Sequence, residues 1–282
     1  DATVGLKRAE ELYDLVFFEY GDDSVAQLGG VHLACEQASN LLTKVLEWGR
    51  LMSYLEQSTR YIAYNSRLDG RYRYYRDPEI MSSPLAARYI ADMDFLFDTY
   101  ANLVETMREY FASSIPKTTK DSDFAYLQAI KAKALDSVRG ILPAASLSNV
   151  GIYGSGQAYE ALLLRMRSHP LPEAREYSEM ILLELRKVIP SFLKRVDIPN
   201  RGQQTSEYMS DSHERLTDLA EHYFPRTNSP LPHPTVDLTD YDPDAEIKLV
   251  ASALYSHTDR SDRDIEDRVR RMTVDERVKV LK

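Results

Sequence analysis

The spacing of apolar residues along the chain predicts many helices and a few short strands. Apolar residues recur at helical spacing over 5–19, 84–111, 121–140, 157–168, 172–188, 245–257 and 261–281. The segment 41–61 also favours a helix, with a break near Gly49 or Ser53. Alternation over 31–39 predicts a strand, and the glycine-punctuated segment 146–156 predicts a strand or a loop. We therefore expect a helix-rich fold with little sheet.

The distribution of proline predicts three regions. Five of the chain's 13 prolines fall in 224–244, and proline disfavours regular structure. We expect a globular domain over 1–200, an extended proline-rich arm over 201–244, and C-terminal helices over 245–282. The helical pattern over 261–281 is strongly charged, which is typical of a helix at a boundary or a linker to a further domain.

Overall composition excludes several classes of protein. The formal net charge is -9, with 44 acidic against 35 basic residues, which disfavours a protein that tracks a nucleic-acid backbone. Cys35 is the single cysteine, and no apolar run approaches the ~20 residues of a membrane span. The six histidines lack the one-turn spacing of a metal site. We expect a cytoplasmic protein with no metal, no membrane partner and no nucleic-acid partner.

Basic residues are concentrated in two segments of this acidic chain. Residues 1–40 hold two basic and eight acidic groups, whereas 41–90 hold eight basic and five acidic groups. A second group of basic residues comprises Lys131, Lys133, Arg139, Arg165 and Arg167. The two segments can converge on one small anion. The alternative, that each arginine pairs with a carboxylate on a solvated surface, stays open.

The sequence EQSTR at 56–60 brings together groups suited to a phosphorylated, hydroxylated ligand. If the backbone is extended there, Glu56, Ser58 and Arg60 face one side. Arginine donates two hydrogen bonds to phosphate, a serine hydroxyl donates another, and a carboxylate accepts from sugar hydroxyls. The alternative interpretation is a capped helix end with a Glu–Arg pair.

The same segment resembles a known family signature. EQSTRY, preceded by Arg50 and Ser53, is similar to the flavin-dependent thymidylate synthase signature, in which Arg-His-Arg precedes Ser and then Asn-Glu-x-Ser-x-Arg-Tyr. Three more segments match that family in order: GDDSV at 21–25, VRGILP at 138–143, and EALLLRMRSH at 160–169. Four ordered matches are far more specific than one.

The resemblance implies an α+β fold, a helix-rich domain with a small, mostly antiparallel sheet. It implies a homo-oligomer, a tetramer or dimer with active sites between subunits. It also implies methylation of dUMP with methylenetetrahydrofolate, FAD and NADPH. Glu56, Ser58, Arg60, Arg139 and Arg165 would bind dUMP. Among them, Arg165, which would polarise the uracil, and Ser58 would be the catalytic residues. Arg50, Ser24 and Gln27 would contact the flavin.

The chain also departs from the family pattern. Trp48 and Gly49 replace the first arginine and the histidine of Arg-His-Arg, and Leu55 replaces the asparagine. Val45 stands where a nucleotide-binding glutamine is expected, and Asp22 replaces a histidine in the first matched segment. We therefore expect weakened FAD binding.

Three hypotheses follow from these residues. The first is a diverged synthase that keeps a nucleotide-phosphate pocket. The second is a noncatalytic scaffold or regulatory half of a two-module synthase, with a vestigial pocket. The third, an unrelated helical binding protein, requires four coincidental matches.

Overall fold

The structure, a computed structural model, describes residues 29–119, 122–225 and 238–282, together with 8, 11, 15, 24–27 and 236. It forms two compact units, Asp1–Phe224 and Pro225–Lys282. Apart from residues 8, 11 and 15, the helix predicted over 5–19 lies outside the described residues, and so does Asp22. Residues 226–235 and 237 of the proline-rich segment also lie outside them.

A three-stranded antiparallel sheet organises the first unit. Its strands are β1 (Gly30–Ser39), β2 (Met52–Glu56) and β3 (Leu147–Ser155), in the order β1-β3-β2. Cys35 of β1 and Glu56 of β2 both stand opposite Val150 of β3. The strand predicted over 31–39 is confirmed, and 146–156 forms a strand rather than a loop. The expected α+β fold with a small antiparallel sheet is therefore confirmed.

Helices make up most of the rest of the first unit. They are α1 (Asn40–Leu46), α2 (Pro78–Ser82), α3 (Ala86–Ser114), α4 (Asp123–Val138), α5 (Gly156–Arg167), α6 (Pro172–Leu185) and α7 (Gln204–Tyr223). Short 3-10 turns cover Ser24–Gln27, Arg139–Ile141 and Pro190–Asp197, and a π turn covers Pro199–Gln203. The helices predicted over 84–111, 121–140, 157–168 and 172–188 are confirmed with shifted ends.

Two predictions of secondary structure are corrected. The helix predicted over 41–61 ends at Leu46, and the second half of that segment is β2, because pairing with β3 outweighs its helical pattern. The extended arm predicted over 201–244 is not observed at Gln204–Tyr223, which form α7. That stretch contains neither glycine nor proline, so nothing in it interrupts a helix.

The described part of the second unit, mainly residues 238–282, contains three helices: α8 (Ala245–Tyr255), α9 (Asp262–Val269) and α10 (Val274–Leu281). Val250, Ala251, Ile265 and Val269 form its buried core. The helix predicted over 261–281 is broken at Thr273, which caps α10 in a capping box with Glu276. Among all the helices described in either unit, none is long and apolar enough to cross a membrane.

Two hydrophobic clusters hold the first unit together. In one, Val31 and Ile152 on the inner face of the sheet pack with Leu162 and Met166 of α5. Cys35 belongs to this cluster, and burial raises the pKa of its thiol to about 12, which makes it a poor nucleophile. The other cluster is rich in aromatic residues and comprises Tyr64, Tyr72, Tyr74, Phe97, Tyr100, Val104, Leu135 and Val138. The candidate site lies beside this aromatic cluster.

Candidate functional site

The backbone after β2 is held extended by two side chains of β3. The N–H of Gln57 donates to the carbonyl oxygen of Asn149 at 2.9 Å, and Asn149 Nδ2 donates to Gln57 Oε1 at 2.7 Å. Ser148 Oγ donates to the carbonyl oxygen of Gln57 at 3.3 Å. Asn149 Oδ1 also accepts from the N–H of Gln37, whose positive φ of 59° lies at an irregularity in β1. These bonds hold Gln57 against β3, so the EQSTRY segment departs from the sheet directly after Gln57.

Beyond Gln57 the chain turns. The carbonyl oxygen of Ser58 accepts from the N–H of Tyr61 at 3.2 Å, and Ser58 Oγ accepts from the N–H of Arg60 at 3.3 Å. The extended alternation predicted for Glu56, Ser58 and Arg60 therefore holds only up to Gln57. The placement of Arg60 is decided by this turn.

Two arginines from different segments meet on one carboxylate oxygen. Arg60 Nε lies 2.9 Å from Asp136 Oδ1, and Arg139 Nε lies 3.0 Å from the same atom. We call Arg60 and Arg139 the Asp136 arginine pair. The side chains are 50%, 42% and 46% exposed for Arg60, Arg139 and Asp136, and exposed ion pairs of this kind stabilise a protein little. The guanidinium groups therefore have two positive charges against one negative charge and remain accessible to a second anion.

A cavity of about 220 Å³, the Arg139 cavity, lies beside this pair. Its polar lining residues come from α1, the end of β2 and the chain after it, the 3-10 turn after α4, and the residues around the start of β3. They are Asn40, Glu56, Thr59, Tyr64, Arg139, Ser146 and Ser148. Burial raises the pKa of Tyr64, although a hydrogen bond with Ser148 and the charge of Arg73 oppose the shift. Arg73 stacks over the Tyr64 ring at 4.5 Å and donates to the carbonyl oxygen of Ala63. The cavity thus combines one cation, one carboxylate and several neutral hydroxyl groups.

Glu56 in this cavity has a basic neighbour that the sequence pattern did not indicate. Lys44 Nζ lies 2.9 Å from Glu56 Oε2 and 3.4 Å from Glu47 Oε2. Partial burial lowers the pKa of Lys44, but its hydrogen bonds and charge interactions with the two glutamates outweigh this and raise it overall. The ammonium group therefore stays charged and holds Glu56 in place.

A buried carboxylate supports the start of α1, next to Asn40. Glu173 is fully buried and accepts hydrogen bonds from both the N–H and the hydroxyl of Ser39. Ser39 Oγ in turn accepts from the N–H of Leu42 and caps α1. Burial raises the pKa of Glu173, and the hydrogen bonds from Ser39 oppose that rise. This network anchors the α1 wall of the cavity.

Arg165 does not line the Arg139 cavity. It lies on α5, its Nη2 donates to the carbonyl oxygen of Val45 at 3.4 Å, and its Nε is buried without a hydrogen-bond partner. Burial lowers its pKa, and the nearby Tyr54 opposes that shift. The structure therefore places Glu56 and Arg139 in the wall of one cavity. Arg60 lies beside them through Asp136, and Ser58 lies in the turn before Arg60, whereas Arg165 is apart from all four.

Two of the three predicted flavin contacts share a second cavity. Arg50 and Gln27 line a cavity of about 430 Å³, here called the Arg50 cavity, at the other end of β2. Gln27 Nε2 donates to Gln157 Oε1 at 2.8 Å. Ser24 lies in the adjacent 3-10 turn, but its side chain lies outside the described residues.

The Arg50 cavity does not match FAD with the residues described. FAD carries two phosphates, and Arg50 is the single cation among the lining residues. Trp48, where the family has arginine, is 75% exposed, and Gly49 offers no side chain. The weakened FAD binding expected from the sequence stays a prediction. Within the described part of the chain, no group of three or more His, Cys, Asp or Glu side chains forms a metal site.

The arginine and tyrosine residues over 67–76 belong to the fold rather than to a site. Tyr72 and Tyr74 are buried, and Arg67 and Arg76 stack over their rings. Sequence reasoning missed five polar residues of the Arg139 cavity: Asn40, Thr59, Tyr64, Ser146 and Ser148. It also missed Lys44 and Asp136, which pair with the charged lining residues Glu56 and Arg139. Asp136 carried one signal, because it lies one helical turn before Arg139.

Similarity to known proteins supports the resemblance noted in the sequence. The sequence profile of the thymidylate synthase complementing protein family matches residues 3–191. A UPF0159 protein of Chlamydia muridarum is 37% identical over 283 residues, and one of Chlamydia pneumoniae is 39% identical over 285 residues. Both alignments cover this whole chain and 53% of the relative, so the chain spans about half the length of these curated relatives.

A solved structure gives a weaker likeness. The UMP/dUMP methylase PolB of Streptomyces cacaoi, bound with 5-Br UMP, is 14% identical with a TM-score of 0.42. The alignment covers 66% of this chain and 81% of that structure. A structural likeness with so low an identity and TM-score does not assign a family. The family assignment therefore rests on the sequence profile. Since that profile matches well over half of the residues, the chain belongs to the thymidylate synthase complementing protein family.

Proposed function

We propose that this chain binds dUMP at the Arg139 cavity, as part of a protein that methylates dUMP to dTMP. One observation carries the proposal: Arg60 and Arg139, from two matched motifs distant in sequence, meet on one carboxylate oxygen beside a cavity lined by Glu56. The phosphate of dUMP would take the accessible donors of the two guanidinium groups. Ser58, which precedes Arg60 in the turn, would contribute a further donor.

Arg165 would act on the base rather than on the phosphate. A guanidinium beside the pyrimidine stabilises negative charge as the ring becomes nucleophilic. Methylenetetrahydrofolate would supply the methylene group, with NADPH as the reductant, in a homo-oligomer whose subunits share active sites. We assign no flavin step to this chain, because its own residues do not match FAD.

Calorimetric titration of the purified chain with dUMP tests the proposal. We expect saturable binding by the wild type and its loss in Arg60→Ala. Arg88→Ala is the matched control, because Arg88 is an exposed arginine on α3 whose ion pair, with Asp92, lies one turn away on the same helix. Failure of the wild type to bind dUMP would refute the proposal.

The noncatalytic scaffold or regulatory half is the second candidate, and the Arg50 cavity favours it. Because Trp48 and Gly49 stand where the family has arginine and histidine, Arg50 is the single cation among the lining residues of that cavity. One cation is too few to bind the two phosphates of a dinucleotide tightly. The visible absorbance spectrum separates the two candidates. A yellow preparation with flavin absorbance favours the enzyme, whereas a colourless one that binds dUMP but refuses added FAD favours the supporting half.

A further inference from the structure

The second unit contains a cavity of its own, bordered by the end of α8, by α9 and by the turns on either side of α9. Its volume is about 660 Å³, compared with about 220 Å³ for the Arg139 cavity. Cavities that enclose small ligands measure roughly 300–1,000 Å³. All the lining residues lie within 254–272, beyond the residues 3–191 that the family profile matches. We call this the Arg268 cavity, and no part of the family signature contributes to it.

Part of the lining of the Arg268 cavity is apolar. Leu254 and Met272 line it and are half-buried. Both pack against the core that contains Ile265 and Val269 of α9. Half-buried apolar side chains that border a cavity favour a ligand with a ring or another apolar group, because covering them removes apolar surface from water. A bare inorganic anion would leave this surface exposed to water.

Three exposed arginines line the same cavity. Arg260 lies in the turn before α9, Arg268 near the end of α9, and Arg271 in the turn after it. Within the described residues, none of the three forms an ion pair and none of their guanidinium groups donates a hydrogen bond. Three other cations of the unit are paired at 2.6–2.8 Å: Lys248 with Asp242, Arg270 with Asp244, and Arg277 with Glu246. The arginines at the cavity therefore keep their donors for a ligand.

Two aspartates also line the cavity and limit what it can bind. Asp264 lies four residues before Arg268 on α9, a spacing that allows an ion pair, yet the two side chains form none. The carboxylates of Asp264 and Asp267 repel a phosphate beside them but accept hydrogen bonds from hydroxyl and amino groups. Three arginines against two aspartates make the lining net positive, although the whole chain has a formal net charge of -9. Such a lining suits a ligand that carries several phosphates together with hydroxyl or amino groups.

We infer that the Arg268 cavity binds a nucleoside triphosphate. The arginine fork matches the geometry of phosphate oxygens, and three such forks suit a chain of phosphates better than a single one. The two aspartates would accept from the sugar hydroxyls or from an amino group of the base, and Leu254 and Met272 would cover the base. The inference is independent of the proposed function, because the Arg268 cavity shares no residue with the Arg139 cavity.

Calorimetric titration of the whole chain with ATP, with UTP and with inorganic tripolyphosphate tests the inference. We expect saturable binding of at least one nucleotide, tighter than that of tripolyphosphate, because the base covers the apolar part of the lining. Arg268→Ala and Arg271→Ala should each weaken nucleotide binding by about tenfold or more, the loss expected when hydrogen bonds to a charged group are removed. Both side chains are exposed, so the Tm of each variant should match that of the wild type.

Two control variants show whether the nucleotide uses this cavity. Arg263→Ala changes an exposed arginine of α9 that does not line the cavity, and Arg60→Ala changes the proposed dUMP site. Both should alter nucleotide affinity less than about twofold.

Four results would overturn the inference. They are no binding of either nucleotide by the wild type, binding of tripolyphosphate as tight as that of the nucleotides, equal losses in Arg263→Ala and Arg268→Ala, and a loss in Arg60→Ala that is absent from Arg268→Ala. The last result would place the triphosphate in the Arg139 cavity. Failure of the wild type to bind dUMP would refute the proposed function and leave this inference standing.

Discussion

The two ends of strand β2 carry the two halves of the family signature, and they differ sharply. At the end of β2, Glu56 leads into a turn that places Arg60 beside Arg139, and both arginines share Asp136. Before β2, Arg50 faces its cavity with no ion-pair partner among the described residues, and Trp48 is exposed. The end of β2 thus carries the two cations that the proposed dUMP site requires, whereas the segment before β2 carries one cation in its cavity.

The packing around Gly49 explains why this position, a histidine in the family signature, cannot hold a large side chain here. Tyr54 Oη donates to the carbonyl oxygen of Gly49 at 2.8 Å. A Cβ atom on residue 49 would lie 2.8 Å from that same hydroxyl oxygen. Tyr54 therefore occupies the space that the family's histidine side chain would need. Restoring the histidine requires Tyr54 to move.

The largest expected effect contrasts the two arginine sites directly. Arg139→Ala should weaken dUMP binding by tenfold or more, because hydrogen bonds to charged groups contribute about 1.5–3 kcal/mol. Arg50→Ala, measured by the same titration, should change dUMP affinity less than about twofold, because the Arg50 cavity is separate. Equal losses in the two variants would show that the nucleotide spans both ends of β2.

A smaller effect on stability tests the packing at Gly49. Gly49→Ala should lower the free energy of unfolding by about 1 kcal/mol, the low end of the cost of overpacking, because the crowding atom is the end of a partly buried side chain. Replacing Tyr54 with phenylalanine removes the crowding oxygen, so Gly49→Ala should cost less in a Tyr54→Phe background. Urea denaturation of the two single variants and the double variant measures this coupling. Additive losses would mean that the Tyr54 hydroxyl does not limit residue 49.

The smallest expected effect tests how β3 positions the signature. Asn149→Ala removes the side-chain bond to Gln57 and should weaken dUMP binding about two- to tenfold, the range of one or two hydrogen bonds. Asn149→Asp is the matched variant, because its carboxylate still accepts from the N–H of Gln37 but cannot donate to Gln57. Wild-type affinity in both variants would show that Arg60 is placed without help from β3.

The predictions from sequence succeeded where local pattern decides structure. The alternation over 31–39 correctly predicted strand β1, and the helical spacing over 84–111 correctly predicted helix α3. Each pattern has the repeat of its own element, about 2 residues for a strand and about 3.6 for a helix. The segment 41–61 failed because its helical spacing competes with pairing to β3, a partner about a hundred residues away. Secondary structure that depends on pairing with a distant strand cannot be predicted from the residues of the segment alone.

The same division applies to the candidate site. The sequence by itself determined the charge pattern, the matched motifs and therefore the family, as well as the residue types that can hold a phosphate. Only the tertiary structure decided that Arg60 meets Arg139 through Asp136 and that Arg165 lies apart from this pair. The physical reason is that motifs specify chemistry locally, whereas a binding site requires side chains from distant segments to meet at hydrogen-bond distance.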